Sequence, residues 1–247
     1  PDFGLRDAWY AKTADLTAAP AGNELPTDAQ IIGAVQRQTG KSSIVMSAAG
    51  TMPGALHVLW RAAQGGYHME YGFSCMGYEV AGAMGIKMAR PDADVVCMVG
   101  DGSYMMANSE LATAVMMGVP FTVVLTDNRG YGCINRLQIS TGSAPFNNML
   151  VNSYQINTPN LDFVAHAASM GAIAVKVGSV GELEAAMAAA KTAVIPTVIV
   201  IDTDAGPGTG AGGHWWDVAV PEVSERADVR SARANYEKNT AKQWLGN

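Results

Sequence analysis

Two continuous apolar, β-branched runs constrain this chain more than any other feature: Asp94-Val-Val-Cys-Met-Val99 and Phe121-Thr-Val-Val-Leu-Thr126. Neither alternates with polar residues, which is the pattern of strands buried on both faces of a parallel sheet. Between them, Gly100-Asp101-Gly102-Ser103 leads into a stretch with helical spacing, Tyr104 to Gly118, which Gly-Val-Pro terminates. The pattern predicts a βαβ unit. Its crossover is right-handed, so the two strands lie side by side and end on the same edge. Asp101 and Asn128, remote in sequence, then follow neighbouring strand ends. An acid, an amide and a glycine turn opening a helix suit a hard cation bound to phosphate oxygens. The helix amides would hold the anion and oxygen ligands would hold Mg2+.

The remaining pattern extends this unit. Leu5–Ala11 reads as a short helix, Thr17–Gly22 as a linker, and Thr27-Asp28 as a cap for a helix over Ala29–Thr39. Ser43–Met46 is a first strand, residues 54–64 are helix-like, and a short strand fits within Tyr67–Tyr71. Met76–Met88 reads as a helix whose Gly and Ala content permits close packing against another backbone. Arg129–Asn160 is polar and irregular, with one short helix at Ile134–Gln138, and so long a stretch inside a compact domain points to function. Helix (Leu161–Met170), strand (Ala172–Val177), helix (Val180–Ala193) and strand (Thr197–Ile201) follow. The expected division is an N-terminal extension (1–25), a core (26–205), and a flexible loop with a charged helical tail (206–247). The core alternates strand and helix, so the fold class is α/β, a doubly wound, mostly parallel sheet with helices on both faces.

Composition narrows the function. The 247 residues are 49% apolar, enough for a substantial core, and no apolar run is long enough to span a bilayer. A net charge of −6 without a Lys/Arg block argues against nucleic acid as a partner. Three unclustered cysteines, one of them inside a core strand, point to a reducing compartment, with the cytoplasm the expected location. The chain opens on Pro rather than Met, so a piece of a longer polypeptide is expected.

Gly100-Asp101-Gly102-Ser103 followed by Asn128 resembles the cofactor signature of thiamin-diphosphate (ThDP) enzymes. Almost the whole chain resembles the C-terminal diphosphate-binding domain of one branch of that family, the hydrolases that open a cyclic diketone in inositol catabolism. Gly65–Tyr78, Val99–Tyr104, Asp127-Asn128, Gly132–Asn135, Trp215-Trp216 and Glu222–Glu225 carry the likeness. It implies ThDP and Mg2+ as cofactors. It also implies hydrolytic ring opening of a polyhydroxylated cyclohexane-1,2-dione to 5-deoxy-glucuronate in myo-inositol catabolism. The metal ligands would be Asp101, the Asn128 side chain and the Gly130 carbonyl. Gly100, Gly102, Ser103 and Tyr131 would border the cofactor, with the amides of Gly102 and Ser103 on the diphosphate and the Ser103 hydroxyl as a further donor to it. Met76, 25 positions before Asp101, matches the apolar wedge that keeps ThDP bent. The Ser74 carbonyl and Met76 amide would meet the aminopyrimidine edge. The family shows Asn-Asn where this chain has Asp127-Asn128, and Gly where Ser74 stands. The glutamate that activates the cofactor would reside on a pyrimidine-binding domain outside this chain, with a homodimer or dimer of dimers building the complete site.

Several residues support two readings. Tyr131, Cys133, Asn135 and Gln138 either face substrate or line a solvated loop and helix. His68 and Glu70 are candidates for proton transfer, whereas His57 and His166 lie in helix-like runs and read as structural. Gly208-Thr-Gly210-Ala-Gly-Gly213 matches a dinucleotide fingerprint, but no helix pattern follows, so it reads as a loop. Gly40-Lys41-Ser42 is not a phosphate loop, because Val35 replaces the first glycine and a strand follows. The Trp215-Trp216 pair after the glycine-rich segment reads either as a lid over the site or as an anchor for the tail. Two rivals remain open: a carboligase or 2-oxoacid decarboxylase of the same family, and a non-catalytic ThDP-binding subunit.

Overall fold

The computed structural model describes residues 3–22, 24–206, 208 and 218–243. The proposed lid at His214–Trp216 and most of the glycine-rich loop lie outside them. The first helix, α1, spans Phe3–Thr13. Then come α2 (Asp28–Gln38), β1 (Ser43–Ser47), α3 (Thr51–Leu59), β2 (Tyr67–Met69), α4 (Tyr78–Ala89) and β3 (Asp94–Gly100). These are followed by α5 (Asp101–Met106), α6 (Glu110–Met117), β4 (Thr122–Asp127), α7 (Gly132–Ser140) and α8 (Phe163–Ser169). β5 (Ile173–Val177), α9 (Val180–Ala190), β6 (Thr197–Asp202) and α10 (Ala227–Thr240) complete the order.

All six strands are parallel, in the order β2-β1-β3-β4-β6-β5. The expected doubly wound sheet is therefore present, and β3 and β4 are neighbours with Gly100 opposite Thr126. Alternate strand residues feed two cores. Val96, Met98 and Val124 pack with Ile31, Leu56 and Leu183 of α2, α3 and α9. Val95, Cys97, Val99 and Val123 pack with Tyr104 and Leu111 on the opposite face. Central strands covered on both sides have no polar face, which is why their sequences do not alternate.

The cap on α2 forms as expected. Thr27 Oγ1 accepts the Gln30 amide at 3.3 Å while Gln30 Oε1 accepts the Thr27 amide at 2.9 Å, a complete capping box. Three expectations need correction. The single helix expected over Tyr104–Gly118 is two, because Ala107 leaves helical geometry (φ −153°, ψ 72°) and Asn108-Ser109 begin a new first turn. The helix expected over 54–64 is shifted to α3, ending where Trp60 turns extended. Met76 does not lie inside α4: Gly77 adopts a left-handed conformation (φ 90°) and starts that helix one residue later.

The chain divides into two compact units, residues 1–128 with 159–211, and residues 129–158 with 212–247. The first contains the whole sheet. In the second, Gly130 bridges to Met149, and the Gly142 carbonyl accepts from the Arg226 side chain at 3.5 Å. No helix of the described residues is long and apolar enough to cross a membrane.

Candidate functional site at the carboxyl edge of the sheet

Polar side chains accumulate where the strands of the first unit end. β3 runs out at Gly100, and Asp101 immediately begins α5 with only 7% of its surface exposed. β4 ends at Asp127, also buried, whose carbonyl accepts the Thr203 amide at 3.0 Å and ties β6 to this edge. Asn128 follows. Its Oδ1 is buried and has no hydrogen-bond partner among the described residues, as is true of Ser47 Oγ at the end of β1 and Thr203 Oγ1 just past β6. A buried acceptor left unsatisfied costs about 1–3 kcal/mol. Three such oxygens lie on one edge of one sheet, where a polar ligand could satisfy them; Thr197 Oγ1, at the amino end of β6, is likewise without a partner among the described residues. The donor set is oxygen-only, and among the described residues no His/Cys/Asp/Glu cluster of three or more forms a metal site. That fits a hard cation sharing its shell with phosphate oxygens rather than a zinc centre. In contrast, a cleft of about 320 Å³ bordered by Ser43, Asp94 and Thr122 lies at the amino ends of β1, β3 and β4, on the wrong edge for this chemistry.

The segment before α4 is organised by two carboxylates. Glu70 accepts the amides of Phe73 (3.3 Å) and Cys75 (2.7 Å), which holds Ser74 between them at a φ of 52°. The Cys75 amide is the chief reason the Glu70 carboxyl sits below its ordinary range. Met76 follows, half-buried, and then Gly77, where a Cβ would stand 3.0 Å from the Ala107 Cβ. On the other side Glu79, with 1% exposure, accepts the Gly77 amide (3.0 Å), the Ala49 amide (3.3 Å) and the Ser103 hydroxyl (2.8 Å). Burial raises its pKa against those hydrogen bonds. Glu79 was not among the residues singled out from sequence. Its signal was present, since it is the one acid in the apolar Tyr78–Ile86 run, but a first-turn acid reads as an ordinary helix feature.

The other expected residues are distributed as follows. His68, on β2, stacks on Tyr78 and places Nε2 3.1 Å from the Tyr78 hydroxyl. His57 packs against Tyr67 and Tyr71. His166 Nδ1 lies 3.1 Å from the hydroxyl of buried Tyr104, whose pKa burial pushes up to about 12. Within the second unit, Tyr131 precedes α7 and its amide donates to the Asn148 carbonyl at 2.8 Å. Gln138 there accepts from Phe146 and Asn148, a loop-holding arrangement, while Asn135 Oδ1 is buried without a partner.

A parallel sheet with polar groups and glycine turns at its carboxyl edge is the framework of a ligand-binding α/β domain. A family model described as thiamine pyrophosphate enzyme, C-terminal TPP binding domain, matches residues 48–201, and the chain belongs to that family. A 3D-(3,5/4)-trihydroxycyclohexane-1,2-dione hydrolase of Geobacillus thermodenitrificans (strain NG80-2) is 38% identical over 225 residues, covering 88% of this chain and 35% of that protein. One of the same description from Bacillus anthracis (strain CDC 684 / NRRL 3495) is 40% identical over 215 residues, covering 83% and 33%. The chain thus spans about a third of the length of these relatives. Among solved structures, a thiamine diphosphate-dependent 4-hydroxybenzoylformate decarboxylase of Rhodococcus jostii RHA1 superposes with a TM-score of 0.64 at 23% identity, over 76% of this chain and 34% of that one. That likeness is one of fold.

Proposed function

We propose that this chain is the diphosphate- and Mg2+-binding part of a ThDP-dependent hydrolase. The enzyme would open the ring of trihydroxycyclohexane-1,2-dione to 5-deoxy-glucuronate in myo-inositol catabolism. The observation that carries the site is the buried, unpartnered Asn128 Oδ1, one strand over from the Gly100–Asp101 junction. The names of relatives at 38% and 40% identity support the reaction.

In this reading the Asp101 carboxylate and Asn128 Oδ1 bind Mg2+. The family resemblance adds the Gly130 carbonyl, two residues along the chain from Asn128. Two diphosphate oxygens and a water would supply the rest of its oxygen ligands. Gly100 ends β3 without a side chain, and the amides of Gly102 and Ser103 receive the diphosphate. The Ser74 carbonyl and Met76 amide orient the ring edge of the cofactor, and the Met76 side chain supports its bend. Left-handed Gly77 allows this turn to close against Ala107. Tyr131 borders the cofactor by the same resemblance. Bound ThDP would supply an electron sink for breaking the bond between the two carbonyl carbons. Water would add across that bond, one carbon becoming the carboxylate and the other the aldehyde of a single open chain, with no net oxidation. His68 and Glu70 remain the candidates in this chain for moving a proton. Glu70 already holds the Phe73–Cys75 turn, and His68 Nε2 already meets the Tyr78 hydroxyl.

The activating glutamate would come from a pyrimidine-binding domain, with sites completed in a homodimer or dimer of dimers. The cytoplasm fits three cysteines that form no disulfide. The test is a substrate panel on the intact enzyme. Consumption of the cyclic diketone with one equivalent of acid formed, dependent on both ThDP and Mg2+, is expected. Release of CO2 from a 2-oxoacid, or carboligation without hydrolysis, would transfer the chain to another ThDP activity. ThDP binding with no turnover of any substrate would make it a binding subunit.

A further inference from the structure

The two ends of a bound ThDP would be held by segments far apart in sequence, the turn 74–77 and the head of α5, and one buried carboxylate touches both. Glu79 accepts the Gly77 amide, and the Ser103 hydroxyl lies 2.8 Å from each of its oxygens. The Gly77 amide also donates to Ser103 Oγ at 2.9 Å, closing a triangle among the three groups. A third donor, the Ala49 amide, brings in the segment that follows β1. A carboxylate so deeply buried is costly unless its oxygens are fully hydrogen-bonded. Here donors from three separate segments meet those oxygens, in a stretch whose neighbours are otherwise apolar or small. An apolar residue at position 79 would pack in the same space but would leave Ala49 and Ser103 without their acceptor.

Taking the ThDP reading as its basis, we propose that Glu79 is a positioning residue which, through Ser103 and Gly77, sets the spacing between the ring-holding turn and the diphosphate-holding helix. Ser103 then contributes its amide to the diphosphate while its hydroxyl proton is committed to Glu79. The linkage matters for a ligand that engages both ends at once and little for one that engages a single end. Two ligands separate these cases: ThDP, and inorganic pyrophosphate, which carries only the diphosphate end.

The experiment is calorimetric titration of the intact enzyme, in Mg2+, with each ligand, for the wild type, Glu79→Gln, Ser103→Ala and the double variant. Gln keeps the shape of the side chain but turns one acceptor into a donor facing other donors. Glu79→Gln is expected to weaken ThDP binding about tenfold, the scale of one lost charge-assisted hydrogen bond. Pyrophosphate affinity should change less than about twofold, well inside that same scale. Ser103→Ala should behave alike, and the double variant no worse than either single one, because all three break the same bridge. Unchanged ThDP affinity in Glu79→Gln would overturn the proposal. So would equal losses for ThDP and pyrophosphate, which would mean that the carboxylate only builds the fold around α5. If Glu79→Gln did not fold, Ser103→Ala would decide by the same pair of ligands. A wild type that bound neither ligand would instead overturn the ThDP reading, and this inference with it.

Discussion

Asp101 is the anionic ligand in the proposed Mg2+ shell, so Asp101→Ala is expected to abolish Mg2+-dependent ThDP binding. Asn128→Ala should weaken it by at least the roughly 10–100-fold typical of losing an outer-shell partner. Unchanged affinity in Asp101→Ala, measured by calorimetry, would remove the metal assignment. Gly77→Ala meets two obstacles, a left-handed backbone and the Ala107 Cβ at 3.0 Å, and should destabilise by about 1–3 kcal/mol in urea unfolding. Glu79 also gives a pH signature. Burial raises its folded-state pKa above the ordinary value of about 4.5, so the folded state binds this proton more tightly than the unfolded chain. Its contribution to stability is complete below that ordinary value and is lost as pH rises through the raised one. Glu79→Gln should therefore flatten the decline in stability from near pH 4.5 upward, and identical pH profiles for the two proteins would refute the assignment.

At the level of elements, the capping box on α2 is local and separate from the cofactor edge. Thr27→Ala removes the acceptor for the Gln30 amide and should cost about 1 kcal/mol. The urea midpoint should fall with an unchanged slope and unchanged ThDP affinity. α4 shows how composition becomes packing. A Cβ at Gly82 would stand 2.6 Å from Met46 Cε, so glycine there lets the helix settle onto β1. The break between α5 and α6 was not legible in a continuous helical spacing. Both pieces keep their apolar faces on the sheet, with Tyr104 and Leu111 in the same core, and periodicity reports the buried face rather than the continuity of the backbone.

For the whole molecule, the expectation is an obligate assembly. Met88, Met116 and Met117, on helices α4 and α6 that pack together, are 49%, 79% and 53% exposed in this chain, which makes these two helices the candidate contact surface. The intact enzyme should run as a homodimer or dimer of dimers in light scattering, with each complete site needing a pyrimidine-binding domain. A fully active monomer would contradict this.

Sequence by itself determined the order and type of the sheet elements and the βαβ unit that carries Asp101 and Asn128. Both are written locally: a short unbroken β-branched run between turn signals reads as a strand covered on two faces, and a right-handed crossover between two such strands brings their carboxyl ends to the same edge. Tertiary structure alone decided that Met76 stands in a turn rather than in the helix, because the left-handed backbone at Gly77 is stabilised by close approach to Ala107 and by hydrogen bonds from its amide to Ser103 and Glu79. It alone revealed Glu79 as a junction and Glu70 as the holder of the Phe73–Cys75 turn. The bonds of Glu79 to Ala49 and Ser103 span dozens of residues and leave no periodic trace in the chain, while those of Glu70 to amides three and five residues on belong to an irregular turn that has no period to read. A buried acid at a helix start looks like any other until the fold shows what its oxygens meet.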